Sequence, residues 1–81
     1  MNTVPQWVVL SRQDCSLCET LIEELVGLLG GRADQVQVQD IGGDADLERK
    51  YGQRIPVLFV DGEFVCAYRL DHDRLQAYLS G

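Results

Sequence analysis

Between Leu10 and Leu17 the chain changes its hydrophobic period. Trp7-Val8-Val9-Leu10 is a short apolar run bounded by polar residues, the pattern of a buried strand. From Leu17 onward apolar residues recur at Leu21, Leu25, Leu28 and Leu29, with Ile22 and Val26 beside them, at helical spacings of three and four. The other face carries Glu19, Thr20, Glu23 and Glu24, and Gly30-Gly31 supplies the left-handed residue on which such a helix commonly ends. A strand feeding directly into a helix commits the start of the chain to a β–α unit. At the turn between the two sits Cys15-Ser16-Leu17-Cys18.

That position has a chemical consequence. The first turn of a helix leaves backbone N–H groups unpaired and carries roughly half a positive charge, so a thiolate is stabilised there. Free cysteine has a pKa of about 8.5, whereas cysteines of such motifs range from about 3.5 to 7.5. Cys15 starts the helix and is expected to be the more exposed thiol, hence the nucleophile. Cys18, one turn further in on the same face, can reach its sulfur and resolve a mixed disulfide. Arg12 favours the thiolate, while Asp14 opposes it unless its carboxylate caps the helix.

The remainder of the chain supplies three more strands and two more helices. Gln35-Val36-Gln37-Val38-Gln39 alternates strictly, predicting an edge strand with one buried and one wet face. It follows a loop over residues 30–34. Asp44 is a suitable N-cap for a short helix over Ala45 to Tyr51, ended by Gly52, with Leu47 and Tyr51 buried and Glu48, Arg49 and Lys50 on a solvated face. Ile55 to Val60 and Glu63 to Ala67 are apolar runs separated by Asp61-Gly62, a strong hairpin signal. Asp71-His72-Asp73 opens a closing helix with Leu75, Tyr78 and Leu79 facing inward. The order βαβαββα implies an α/β fold: a right-handed parallel crossover plus an antiparallel hairpin, in a four-stranded mixed sheet with helices on both faces. Trp7–Leu10 and Val57–Val60, wholly apolar, are expected in its middle.

Composition narrows the function. Eighty-one residues are read as a single domain over residues 1–81, long enough for one core. Thirteen acidic against seven basic residues give a formal net charge of −6, which disfavours nucleic acid as a partner. No apolar run reaches the roughly 18 residues of a membrane helix, and no signal-peptide pattern opens the chain. Three cysteines, one close pair and one remote, do not make a disulfide-stapled scaffold, so the reducing cytosol is the expected compartment. In that setting a CxxC pair is redox-active or metal-bound more often than structural.

This element order, with CxxC at the first strand–helix junction and Arg54-Ile55-Pro56 opening the third strand, resembles the glutaredoxin branch of the thioredoxin fold. The resemblance covers nearly the whole chain. Cys15–Glu19 and Tyr51–Val57 are similar to the Cys-x-x-Cys-Glu and Tyr-Gly-x-Arg-Ile-Pro-Val segments of small bacterial glutaredoxin-like proteins. It implies thiol–disulfide oxidoreductase activity and a cis Ile55–Pro56 bond beside the thiols. It further implies a substrate groove built from Arg12, Arg54, Ile55, Pro56, Cys66 and Ala67, with the Ile55 backbone free to pair with an extended substrate. Arg12 matches the basic residue that precedes the first cysteine in glutathione-using members. Arg54-Ile55, Cys66-Ala67 and Arg69-Leu70 depart from their glutathione-binding pattern, which removes the acids that hold the glutamyl ammonium.

The expected partners are therefore disulfide-containing proteins or small thiols, together with a donor of electrons, either glutathione as co-substrate or a reductase. No bound cofactor, metal or membrane is expected, and the chain is read as a monomer. A competing reading makes the protein a thioredoxin-fold binding module whose CxxC is vestigial or holds a partner or metal. Its zinc version recruits Cys66 and His72 as further ligands, although their spacing suits zinc poorly. Outside that version, Cys66 is a buried small hydrophobe or a regulatory thiol, and His72 a solvated residue at a helix start. Arg12 and Arg54 either steer an acidic substrate or are merely exposed, and Trp7, Tyr51 and Tyr68 are core or boundary aromatics.

Overall fold

The computed structural model describes residues 6–79; residues 1–6, which the sequence reads as a short polar lead-in, lie outside it apart from Gln6. In chain order the elements are β1 (Trp7–Ser11), α1 (Ser16–Leu29), a 3-10 segment (Gly30–Gln35), β2 (Val36–Asp40), α2 (Ala45–Tyr51), β3 (Val57–Val60), β4 (Glu63–Ala67) and α3 (His72–Leu79). The segment after α1, expected as a loop, is 3-10 helix instead. Gly30, at φ 55°, ends the α-helix by donating its N–H to the Val26 carbonyl, and the short residues after it tighten into the narrower coil.

The sheet order is β2-β1-β3-β4, with β1 and β2 parallel and the other pairs antiparallel. The two apolar strands are central and the two patterned ones are edges, as their sequences require. Alternation along the central strands then divides the core. Trp7, Val9, Leu58 and Val60 face one side, where Leu21, Leu25 and Leu29 of α1 and Leu75 of α3 cover them. Leu10 and Val57 face the other, against Ile41 and the partly buried Leu47 and Tyr51 of α2. Burial of one such leucine contributes about 1.5–3 kcal/mol.

Three details differ from the sequence pattern. The buried stripe of α1 is Cys18, Leu21, Leu25 and Leu29, leaving Leu17, Val26 and Leu28 exposed. At 100° per residue the first and last of these lie on one flank of the stripe, and Val26 on the other. Val38 is 52% exposed, because β2 is an edge strand that the helices do not cover, so only Val36 of its alternating set is partly shielded. In β4 a bulge intervenes: Leu58 pairs with Cys66 but Phe59 pairs with Phe64. Val65 is the extra residue, so Val65 and Cys66 both point to the α1/α3 side while Phe64 stacks edge-to-face on Phe59. The hairpin turn has the anticipated geometry, with Asp61 at φ 52° and Gly62 at φ 83°.

Candidate active site

Three strands deliver the site to one end of the sheet. The antiparallel register pairs Leu10 with Val57 and Val57 with Ala67, so one step further Ser11, Pro56 and Tyr68 lie in a row. The N–H of Tyr68 donates to the Pro56 carbonyl at 2.9 Å along this row. Ser11 ends β1, and the turn that follows carries Cys15 onto the start of α1. The Ile55–Pro56 peptide is cis and Pro56 is buried.

Cys15 is itself the N-cap of α1. Its backbone is extended (φ −109°, ψ 104°) and its Sγ accepts a hydrogen bond from the Cys18 N–H at 3.2 Å. Asp14 does not cap the helix; it sits exposed in the left-handed region at φ 60°. Cys15 and Cys18 are joined as a disulfide with a Cα–Cα distance of 5.2 Å. Their accessibility is unequal, since Cys18 is 1% exposed while Cys15 is half-buried. An incoming sulfur can therefore meet Cys15 far more readily than Cys18.

The flanking residues sort differently from the sequence expectation. Arg12 is engaged by Glu48 of α2, through Nη2 to Oε1, rather than by either sulfur. Glu48 is thus a tether between α2 and the turn before the thiols, not part of a solvated face. Gly52 makes room for this contact: a Cβ there would stand 3.1 Å from Arg12 Nη2 and 2.3 Å from the Glu48 carbonyl oxygen. Arg54 is exposed, and Ile55 is half-buried and makes none of the strand pairings of the sheet.

Cys66 and Ala67, which the resemblance places in the substrate groove, face opposite sides of the sheet. The bulge turns Cys66 into the α1/α3 core, 6% exposed, and leaves Ala67 against the α2 side. Burial pushes the Cys66 thiol up from its ordinary 9.0, the Asp71 carboxylate adds to the rise, and the Asp71 backbone N–H and Arg74 oppose it. His72 faces Glu24 of α1 at 3.9 Å. Among the described residues no three His, Cys, Asp or Glu side chains gather where a metal could bind, so the zinc set does not assemble.

A groove lies between α1 and the residues after β4. Leu17, between the two cysteines in the chain, joins Leu21 and Glu24 of α1 and Tyr68, Arg69 and Leu70 to line a cavity of about 280 Å³. Tyr68, a core or boundary aromatic by sequence, stands at the boundary at 49% exposed and adopts φ 72°, which residues other than glycine rarely take. Its hydroxyl donates to the Gln53 carbonyl at 3.1 Å, tying the loop after β4 to the loop before Pro56. No local pattern signals this tie, because it joins residues fifteen apart through a tertiary contact.

The order of elements, the sheet and the CxxC at the start of α1 define a thioredoxin-like α/β fold with a dithiol at a helix N-terminus. The chain matches the family Glutaredoxin-like domain (DUF836) over residues 6–80 and belongs to it. It is similar to the uncharacterized proteins Rv0508 of Mycobacterium tuberculosis (strain H37Rv) and Mb0520 of Mycobacterium bovis. With each it is 28% identical over 78 residues, covering 90% of this chain and 80% of the relative. Among solved structures it resembles the solution NMR structure of protein Ne2328 from Nitrosomonas europaea. The TM-score is 0.80 and the identity 36%, covering 96% of this chain and 98% of that one. Among the described residues no helix is long and apolar enough to cross a membrane.

Proposed function

We propose that this protein is a cytosolic thiol–disulfide oxidoreductase whose reacting pair is Cys15 and Cys18. The observation that carries this is the asymmetry of the pair: a half-buried Cys15 capping α1, its sulfur in reach of a Cys18 that is fully buried. The Cys15 thiolate attacks a substrate disulfide, forming a mixed disulfide and releasing one substrate thiol. Cys18 then attacks the Cys15 sulfur, closing the Cys15–Cys18 bond and releasing the second thiol. An external thiol, glutathione or the dithiol of a reductase, returns the pair to its reduced form. The backbone N–H of Cys18 stabilises negative charge on the Cys15 sulfur when it attacks and when it leaves.

The test is disulfide reduction by the reduced protein and its Cys15→Ser and Cys18→Ser variants. Cys15→Ser should be inactive, and Cys18→Ser should stop as a mixed disulfide visible by intact mass. Full activity in Cys15→Ser would remove the redox reading, leaving a binding module whose CxxC has another use.

A further inference from the structure

The proposed redox chemistry needs a substrate, and the groove beside the thiols indicates its class. Resting on that reading, we propose that the groove takes an acidic polypeptide segment bearing a disulfide, held by Arg69 of the groove wall, by Arg54 on the loop that Tyr68 ties to it, and by the apolar side chains of Leu17, Leu21 and Leu70.

The argument begins with where positive charge is left unspent. The chain is acidic, with a net charge of −6, and several of its basic side chains are already occupied. Arg12 pairs with Glu48, Arg49 with Asp46 and Arg74 with Asp71, while Lys50 lies over the Tyr51 ring. Arg32, Arg54 and Arg69 are exposed, and among the described residues none is engaged by a carboxylate; Arg32 lies in the 3-10 segment past the far end of α1 from the thiols. The placement of Arg54 and Arg69 is paired. Arg54 follows Gln53, whose carbonyl accepts the Tyr68 hydroxyl, and Arg69 follows Tyr68. One aromatic side chain therefore ties together the two loops that carry these cations.

The wall itself is apolar. Leu17 is 47% exposed and lines the groove together with the largely buried Leu21 and Leu70 and the exposed Tyr68 ring. Glu24 is the groove's own carboxylate. It faces His72 and lies seven residues along α1 from Leu17, about 10 Å at the helical rise, so it bounds the groove away from the thiols. A segment with an apolar residue next to its cysteine and carboxylates flanking it fills both the wall and the two guanidinium groups. The backbone strain at Tyr68 marks the same residue as the fixed point of the site.

In a single turnover the reduced protein is the reductant. The Cys15 thiolate bonds to one peptide sulfur as the peptide S–S bond breaks, and Cys18 displaces that sulfur. The products are the Cys15–Cys18 disulfide and the peptide dithiol, with two electrons and the two thiol protons passed to the peptide.

The experiment mixes pre-reduced full-length protein with three cyclic peptide disulfides of equal length, flanked by Asp/Glu, by Ser/Gln or by Lys, and with glutathione disulfide. Acid quench and mass spectrometry give the second-order rate constants. The acidic peptide should react about fivefold faster than the neutral one at low salt, as two exposed ion pairs allow, and the gap should close near 0.5 M salt, roughly where screening removes such pairs. Arg54→Gln with Arg69→Gln should bring the two rates together, and Arg54→Glu with Arg69→Glu should favour the lysine peptide; both positions substituted are exposed. Equal rates for the three peptides in the parent protein overturn this inference and leave the redox reading standing, as does faster reaction of glutathione disulfide than of the acidic peptide. No reaction with any disulfide overturns the redox reading, and this inference with it.

Discussion

Cys15 has one structural role and one proposed chemical role, and two substitutions at that one position distinguish them. Its Sγ caps α1 by accepting the Cys18 N–H at 3.2 Å, and Cys18 is buried, so without that acceptor its N–H has no water to turn to. A serine hydroxyl can accept the same bond; an alanine cannot. Loss of an N-cap acceptor costs about 1 kcal/mol, in a range of roughly 0.5–2 kcal/mol. Side-chain packing adds little, since Cys15 is only half-buried. For a domain of this size about 1 kcal/mol corresponds to a shift in Tm of roughly 4–8 °C. Thermal unfolding followed by circular dichroism, with all proteins held reduced by excess dithiol, should therefore place Cys15→Ser close to the parent and Cys15→Ala about 4–8 °C lower. Disulfide reduction should be absent from both. Equal Tm values for the two variants would refute the capping argument, because the hydrogen bond would then contribute nothing. Reductase activity in the serine variant would refute the assignment of the nucleophile.

Other positions give independent checks. Leu25, fully buried at the centre of the α1 stripe, should lose roughly 2–5 kcal/mol when replaced by alanine; a urea midpoint that implied less than about 1 kcal/mol would contradict the packing described. Glu48→Gln removes an ion pair whose side chains are 40% and 38% exposed, so the loss should stay below about 1 kcal/mol. Gly52→Ala, by contrast, forces a Cβ against the Glu48 carbonyl and should destabilise by more than Glu48→Gln does; the reverse ranking in thermal melts would count against the close approach. Because burial raises the Cys66 thiol above its ordinary 9.0, the folded protein keeps that proton where the unfolded chain has lost it. The stability this thiol contributes is full below about pH 9 and is lost as pH rises through the folded value. Above pH 9 the urea midpoint should fall more steeply for the parent than for Cys66→Ala, and parallel slopes would argue against a buried, neutral thiol.

Much of the architecture lies in local pattern. The apolar runs at Trp7–Leu10 and Val57–Val60 can be buried on both faces only inside a sheet, and the Asp61-Gly62 pair accepts the positive φ angles that join β3 to β4. The CxxC falls where a strand pattern gives way to a helix pattern, so its place at a helix N-terminus follows from periodicity alone. The site's surroundings do not follow in that way. A single extra residue, Val65, leaves both Val65 and Cys66 facing the α1/α3 core, and Tyr68, Arg69 and Leu70 line the cavity against α1. The period of two along a strand carries no mark of a bulge, since the bulge is set by how β4 pairs with β3.

The partners of the charged and polar side chains were likewise a tertiary matter. Glu48 reads as an exposed helix residue until α2 packs across the sheet and brings it to Arg12, and Tyr68 reads only as a core or boundary aromatic until its hydroxyl meets Gln53. By itself the sequence determined the order of elements, the two central strands and the position of the thiols, because strand and helix periods act over a few residues. Only the tertiary structure decided which thiol is covered, which arginine is tied and which residues wall the groove, because those depend on contacts between segments that are distant in the chain.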